Sequence, residues 1–486
     1  MMGRGNPKQC RFALPNYFRR DISMFIGDTI AAISTARGKG GVALLRISGP
    51  DAISICQKVF SPKSGKKLSE YAPRTAIFGS IYAPDDRGEW NEIDNGLATV
   101  FSAPASFTGE DTVEICCHGG ILLTQTVLTA CLAAGARAAE AGEFTRRAFL
   151  NGKMGLSAAE ALGDLLEAQT REQLTLAHAG TDGRVERKCR EIYDSLCAVL
   201  SSVYAKIDYP DEDLAEMSRE EMQDALEDSI KRIEKLLDTY RTGHAIAEGI
   251  PTVICGKPNV GKSSLYNCIV GRDAAIVTDV EGTTRDVLCE VAALGRVTLR
   301  LFDTAGLHET EDVVEKIGID RARKALEDAE LILAVFDGST APDEEDKALA
   351  ESFSGTDATV IAVINKSDLG IVQEEFYTSH FAHTVTLSAK EGRGTESLSA
   401  LVESCFINGE LDTKNDTVLT NARQKGAALS ALEAIKRAQE GLAYGLPVEL
   451  CCSDCEAAMQ AIAELDGRAV SEDIVSHIFS HFCVGK

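Results

Sequence analysis

No stretch of about 18 consecutive apolar residues occurs in the chain, so no segment is expected to span a membrane. Nothing resembles a secretory signal. The cysteines, 15 in all, lack the spacing of a small disulfide scaffold and read as reduced thiols of a cytosolic protein. Cys452 and Cys455 form a lone C-x-x-C with no second pair nearby, which reads as two helix residues rather than a metal or redox site. Internal repeats and low-complexity segments are absent. Basic residues are in deficit, with 50 Lys and Arg against 74 Asp and Glu and a net charge of −24. That balance argues against a nucleic-acid surface over the whole molecule and leaves room for a local basic groove.

What is present is enough chain for two or three domains, with 486 residues, 44% of them hydrophobic. Arg4, Lys8, Arg11, Arg19 and Arg20 precede the first acid, Asp21. Residues 1–23 therefore read as a transit-like segment or as a tail ahead of a start at Met24. From Met24 to Lys153 the pattern is strand-rich and mixed, which predicts an α+β domain. Gly41–Ile47 and Thr112–Cys117 read as strands, and Ile121 opens a helix. Residues 154–247 turn to helical periodicity, with Pro210 expected to end a helix. Strands and helices alternate over 248–408, which implies a parallel sheet. Helical periodicity returns over 409–486. The expected architecture is a helical domain with an α/β domain inserted into it, preceded by the α+β domain.

The inserted segment carries the chemistry. The strand Pro251–Cys255 runs into Gly256-Lys257-Pro258-Asn259-Val260-Gly261-Lys262-Ser263, a phosphate loop in strand–loop–helix context. Its glycines let backbone amides turn toward phosphates, and the helix N-terminus adds positive potential. Lys262 is placed to reach the β- and γ-phosphates and Ser263 to ligate Mg²⁺. Asp303-Thr304-Ala305-Gly306 follows a strand, with Asp303 toward the metal and the Gly306 amide toward the γ-phosphate. In Asn365-Lys366-Ser367-Asp368, Asp368 can accept from guanine N1–H and the N2 amine, a pair adenine lacks. In Ser388-Ala389-Lys390 the Ala389 amide can donate to guanine O6. Gly282-Thr283-Thr284 fits a switch segment, with Thr284 on Mg²⁺. The ligand is therefore expected to be GTP, held by Asn259, Val260, Gly261, Lys262, Ser263 and Ser264. Thr278, Asp279, Val280, Glu281, Gly282, Thr283 and Thr284 are expected to add to it, as are Asp303, Thr304, Ala305 and Gly306. Asn365, Lys366, Asp368, Ser388, Ala389 and Lys390 complete the set.

Two positions depart from a Ras-like GTPase. Leu307 stands where a water-orienting Gln would be, so another group must orient water. Glu315 is the candidate, the alternative being a solvated helix residue. Asn259 either helps bind a monovalent cation with carbonyls near Thr278 and Val280, or makes an Asx turn.

Residues 24–486 resemble the tRNA-modification GTPase family MnmE (TrmE). The likeness rests on Gly40–Gly49 (GGVALLRISG), Ser106–Asp111 (SFTGED), Gly142–Asn151 (GEFTRRAFLN), the phosphate loop, and the terminal Phe482-Cys483-Val484-Gly485-Lys486. Val484 replaces the family's usual isoleucine. The resemblance implies a folate-binding-like, dimer-forming N-terminal domain that takes 5-formyl- or methylene-tetrahydrofolate. Its contacts fall on Arg46, Glu114, Lys153 and Lys486. Basic groups would pair with glutamyl carboxylates, and a carboxylate would accept from pterin N–H groups. The resemblance also puts K⁺ on Asn259, Thr278, Val280 and Thr283, Mg²⁺ on Ser263 and Thr284, and the catalytic glutamate on Glu315. It implies a homodimer working in the cytoplasm with the flavoprotein MnmG (GidA) on tRNA. Cys483 is read as a nucleophile or acid/base near the folate, against a small apolar anchor of the terminus.

Overall fold

The computed structural model describes residues 27–36, 38–208, 217–271, 289–302, 328–409 and 411–485. The chain divides into two compact units, one formed by the chain up to Gly155 together with Val470 onward, the other by Leu156–Ala469.

The first unit is built on a seven-stranded sheet in the order β3-β4-β5-β6-β2-β1-β7. Its strands are β1 (Ile30–Ile33), β2 (Val42–Ser48), β3 (Phe60–Pro62), β4 (Ala76–Pro84), β5 (Trp90–Phe101), β6 (Thr112–His118) and β7 (Arg137–Ala138). Helices α1 (Ala52–Val59) and α2 (Ile121–Ala133) cover one face. Alternation decides which side chains they cover. Leu45, Ile47, Val113, Ile115 and Cys117 are buried with Ile55, Val59, Val127 and Cys131. The intervening Arg46 and Glu114 face the other way, and antiparallel register sets them opposite each other. Helix α3 (Glu143–Leu150) follows β7.

Sequence periodicity groups the C-terminal stretch with the second helical segment, but α14 (Glu472–Ser480) and the tail pack in the first unit. The reason is aromatic: the Phe479 ring packs in tilted contacts with Phe149 at 6.2 Å and Phe482 at 5.5 Å. Gly142, at φ 63°, lies beneath them, where a Cβ would fall 2.4 Å from the Phe479 carbonyl oxygen.

The second unit holds a helical part and a sheet. Helices α4 (Leu156–Glu167), α5 (Arg171–Gly180), α6 (Arg184–Asp208) and α7 (Arg219–His244) precede the sheet, and α12 (Ala422–Ala443) and α13 (Val448–Leu465) follow it. Val185, Cys189, Ile192, Leu196, Val199 and Val203 recur at helical spacing on α6 and pack with Leu226, Ile233, Ile435 and Ile462. Truncating any one of the leucines or isoleucines to alanine is expected to cost about 2–5 kcal/mol. Ser218 and Glu221 form a capping box that starts α7, and Thr170 and Gln173 one that starts α5. α6 is described as far as Asp208, and Pro210, expected to end a helix, lies outside the described residues. Cys452 and Cys455 are buried on α13 within this core.

The sheet order is β13-β12-β11-β8-β10-β9, parallel except for β9 against β10. Its strands are β8 (Ile250–Cys255), β9 (Cys289–Leu294), β10 (Val297–Phe302), β11 (Leu331–Asp337), β12 (Thr359–Asn365) and β13 (His383–Thr386). Helices α8 (Lys262–Val270), α9 (Glu344–Ser352), α10 (Glu374–His380) and α11 (Thr395–Phe406) accompany them. β11 is apolar and buried from Leu331 to Phe336, as expected of a parallel strand covered on both faces.

The chain leaves the helical part and returns to it at neighbouring points. A Cβ on Gly243 would fall 2.1 Å from the Leu419 carbonyl oxygen. The Leu419 amide donates to Thr239 Oγ1 at 3.1 Å and the Asn408 amide to Thr242 Oγ1 at 2.8 Å. The architecture is thus the α+β, helical and inserted α/β combination implied by the sequence. Among the described residues, no helix is long and apolar enough to cross a membrane.

Candidate functional site

The C-terminal ends of β8, β12 and β13 bring three motif loops together, the place where an open α/β sheet binds ligands. The loop after β8 starts at Gly256 with φ 147°, where a Cβ would fall 2.3 Å from the Val335 carbonyl oxygen. It ends at Gly261 with φ 102°, where a Cβ would fall 2.1 Å from Asn365 Nδ2. A side chain at either position would collide with β11 or with Asn365 and displace the loop. Asn259 is exposed and adopts φ 65°, a conformation asparagine tolerates better than most residues.

Lys262 is the first residue of α8. Its ammonium donates to the carbonyls of Gly256 at 3.0 Å and Lys257 at 2.8 Å. Burial lowers its pKa from the ordinary lysine value. Ser263 and Ser264 follow, exposed on the first turn of α8.

Asn365 joins the phosphate loop to the base loops. Its Nδ2 donates to the Val260 carbonyl at 2.8 Å, and its Oδ1 accepts the Ala389 amide at 2.9 Å. The Ala389 amide, expected to face guanine O6, is thus directed at Asn365. Asp368 Oδ1 accepts from the Ser388 hydroxyl at 2.7 Å, and that bond leads the effects that lower its pKa. Lys366, at φ 63°, directs its ammonium to Asp337 Oδ2 at 2.6 Å. Lys390 is exposed beside Ala389.

Sequence motifs did not single out Asp337. It ends β11 directly opposite Asn365 in the parallel register, so only strand alignment reveals it. They also gave no role to the Lys257 side chain, which donates to Asp343 and Asp346 at the start of α9. Thr278, Asp279, Val280, Glu281, Gly282, Thr283, Thr284, Asp303, Thr304, Ala305, Gly306, Glu315 and Lys486 lie outside the described residues.

The first unit brings together other expected residues. Arg46 donates to Glu114 Oε1 from Nε at 3.0 Å and from a terminal nitrogen at 2.7 Å. The guanidinium also lies over Phe107 at 5.1 Å and Phe144 at 5.6 Å. The two were expected to meet different ends of a ligand; here they neutralise each other, because register makes them direct neighbours. Lys153 donates to the Pro104 carbonyl at 2.8 Å. Pro104 and Phe107 belong to one loop, which therefore touches both basic residues.

Beneath that loop, Arg147 is 6% exposed and pairs with Asp28 at 2.6 Å, Glu143 at 2.9 Å and Glu110 at 3.2 Å. This network gives Glu110, Glu143 and Arg147 of the two motif segments a structural ion-pairing role. The tail sits nearby in the same unit. Val484 bridges to Ala141, and Ser34 Oγ donates to the Gly485 carbonyl at 3.0 Å. Gly485 adopts φ 100°, and a Cβ there would fall 2.4 Å from the Ile33 carbonyl oxygen. The Cys483 carbonyl accepts from the Gly142 amide at 3.4 Å while its side chain is exposed. The backbone around Cys483 is what anchors the terminus.

A glycine-shaped phosphate cradle joined through one asparagine to an N-K-x-D loop and an S-A-K loop, all on one sheet edge, defines a P-loop GTPase. The family model described as GTP-binding protein TrmE N-terminus matches residues 29–153, and the one described as MnmE helical domain matches residues 156–483. The tRNA modification GTPase MnmE of Clostridioides difficile (strain 630) is 39% identical over 466 residues, covering 95% of this chain and 100% of that protein. The protein so named from Heliobacterium modesticaldum is 40% identical over 470 residues, covering 95% and 100%. The chain belongs to the MnmE family of tRNA modification GTPases.

Among solved structures, an Aquifex aeolicus Era variant bound to GDP·AlF4− is 27% identical, with a TM-score of 0.27, covering 38% of this chain and 65% of that one. The G domain of the T. maritima FeoB iron transporter is 26% identical, with a TM-score of 0.24, covering 32% and 97%.

Proposed function

We propose that the chain is a potassium-activated GTPase of the cytoplasm. With the flavoprotein MnmG it would add an aminomethyl or carboxymethylaminomethyl group to carbon 5 of the wobble uridine of certain tRNAs. It would act as a homodimer, hydrolyse GTP to GDP and phosphate, and draw the one-carbon unit from a tetrahydrofolate. The observation that carries the GTPase half is the Asn365 bridge, which fixes the phosphate loop and the base loops in one frame.

Within that frame Gly256 and Gly261 let the loop pack tightly against β11 and Asn365, Lys262 would meet the phosphates' charge, and Asp368 would select guanine. The exposed Ser263 hydroxyl fits one Mg²⁺ ligand, with Thr284 as its partner, and Asn259 fits a K⁺ ligand beside Thr278, Val280 and Thr283. Such cations supply positive charge where a γ-phosphoryl group transfers. Glu315 would orient water in place of the glutamine that Leu307 replaces. In the first unit, the aromatic-backed Arg46 and its partner Glu114 suit a flat heterocycle with acidic substituents, with Lys153 and Lys486 for its carboxylates. Cys483 is the candidate acid/base or nucleophile there.

The test is GTP turnover by the full chain in K⁺ against Na⁺, with 5-formyltetrahydrofolate titrated separately. Faster turnover in K⁺ and saturable folate binding are expected. Equal rates in the two salts defeat the cation assignment, and absent binding defeats the folate assignment.

A further inference from the structure

Lys257, the second residue of the phosphate loop, turns its side chain toward α9. Its ammonium donates to Asp343 Oδ2 at 2.6 Å and Asp346 Oδ2 at 2.9 Å. The lysine side chain is 21% exposed and that of Asp346 only 8%. Both carboxylates belong to the start of α9, which is complete without the lysine. Asp343 Oδ1 accepts from the amides of Glu345 at 3.0 Å and Asp346 at 3.1 Å, and Asp346 Oδ2 accepts from the Asp343 amide at 3.1 Å. A cation at that end also opposes the helix dipole. The ammonium offsets two neighbouring carboxylates, one of them buried, and the same contact anchors the loop. There the carbonyls of Gly256 and Lys257 receive the Lys262 ammonium. Gly256 is already fixed beneath β11 by its approach to Val335. The Lys257 side chain supplies a second anchor one residue further on.

We propose that Lys257 is a positioning residue for GTP binding. Its tie to Asp343 and Asp346 clamps the first turn of the phosphate loop to α9, so that the Lys257 carbonyl holds the Lys262 ammonium where phosphates bind. The clamp acts on the loop in both nucleotide states, so it affects GDP and GTP binding alike, and KM rather than kcat.

The test uses the full chain, fluorescent GDP titration and steady-state GTP hydrolysis. Lys257→Met is expected to raise the Kd for GDP and the KM for GTP about five- to tenfold, with kcat changed by less than about twofold. Lys257→Arg, whose fork can span both carboxylates, is expected to return both constants to within about twofold of the parent. Asp343→Asn removes the charge from the helix side while keeping the capping oxygen, and is expected to weaken GDP binding too. The double variant is expected to be no weaker than Lys257→Met alone. Parent-like GDP affinity in Lys257→Met overturns the clamp. So does a fall in kcat at unchanged KM, an equal loss in the Met and Arg variants, or strict additivity in the double variant.

Discussion

Replacing Asn365 by alanine removes two hydrogen bonds at once, to the Val260 carbonyl at 2.8 Å and from the Ala389 amide at 2.9 Å. The residue is 3% exposed, so both partners lose their bond out of reach of bulk water. Each stranded group costs about 1–3 kcal/mol, giving a combined loss of roughly 2–6 kcal/mol. Part of this falls on stability and part on nucleotide binding, because the two loops are no longer held in one frame. GDP affinity is expected to fall about 10- to 100-fold, which is about 1.4–2.7 kcal/mol of the total. Gly261→Ala places a Cβ 2.1 Å from Asn365 Nδ2 and is expected to weaken GDP binding comparably. In an Asn365→Ala background that clash has no partner, and only the backbone strain at φ 102° persists. The double variant should therefore be milder than the sum of the singles by about 1 kcal/mol or more. Fluorescent GDP titration, with a thermal scan of each variant with and without GDP, measures this. A Kd for Asn365→Ala within about twofold of the parent refutes the bridge, as does full additivity with Gly261→Ala.

The same structure carries further expected outcomes. His244, 17% exposed, stacks on Tyr240 at 5.3 Å and lies between Glu330 at 3.2 Å and Glu248 at 3.4 Å. The hydrogen bond to Glu330 leads the effects that raise its pKa above 6.5, so its stabilisation is complete below that pH and fades as pH rises through the elevated value. His244→Gln is expected to lose about 1–2 kcal/mol at acidic pH, and thermal scans from pH 6 to 8 should show the gap to the parent narrowing; a pH-independent gap contradicts this. Asp368→Asn is expected to lose GDP affinity about 100-fold and gain xanthine nucleotides, whose C2 carbonyl accepts where guanine donates; competition titration with both bases decides it. Gly485→Val introduces a Cβ 2.4 Å from the Ile33 carbonyl oxygen at φ 100°, so the tail is expected to detach. Wobble-nucleoside analysis of cells carrying it should show lost modification while the purified protein hydrolyses GTP at the parent rate; unchanged modification would remove the tail from the chemistry.

What could be read from the sequence was whatever is local. The strand expected over Gly41–Ile47 runs Val42–Ser48, and the one over Thr112–Cys117 runs Thr112–His118, because their apolar periodicity is strong. The phosphate loop, Asn365-Lys366-Ser367-Asp368 and Ser388-Ala389-Lys390 are legible because a chemical need fixes residue types at short spacing. The Arg46–Glu114 pair was not legible, since it depends on the register of β2 against β6, which the whole sheet sets. Asp337 escaped for the same reason. The return of α14 to the first unit escaped because helical periodicity says which face is apolar and nothing about what covers it. Arg147 stands in the sequence only as part of Gly142–Asn151, and burial among three carboxylates is what makes it structural.

The contact between Gly243 and the Leu419 carbonyl has an architectural consequence. A segment whose two ends are held side by side is attached as a pendant is, by what amounts to a single stem. Rotation of the nucleotide-binding lobe would be transmitted through that stem as torque on α7 and α12 together, without stretching either. The same geometry makes the lobe a removable cassette. Splicing the chain from Gly243 to Leu419 through a short linker should leave the helical core folded, at the loss of the last residue of α7 and of the contacts that Ala247, Ile246 and Val418 make with α5, and an unrelated lobe with adjacent ends should be graftable in its place.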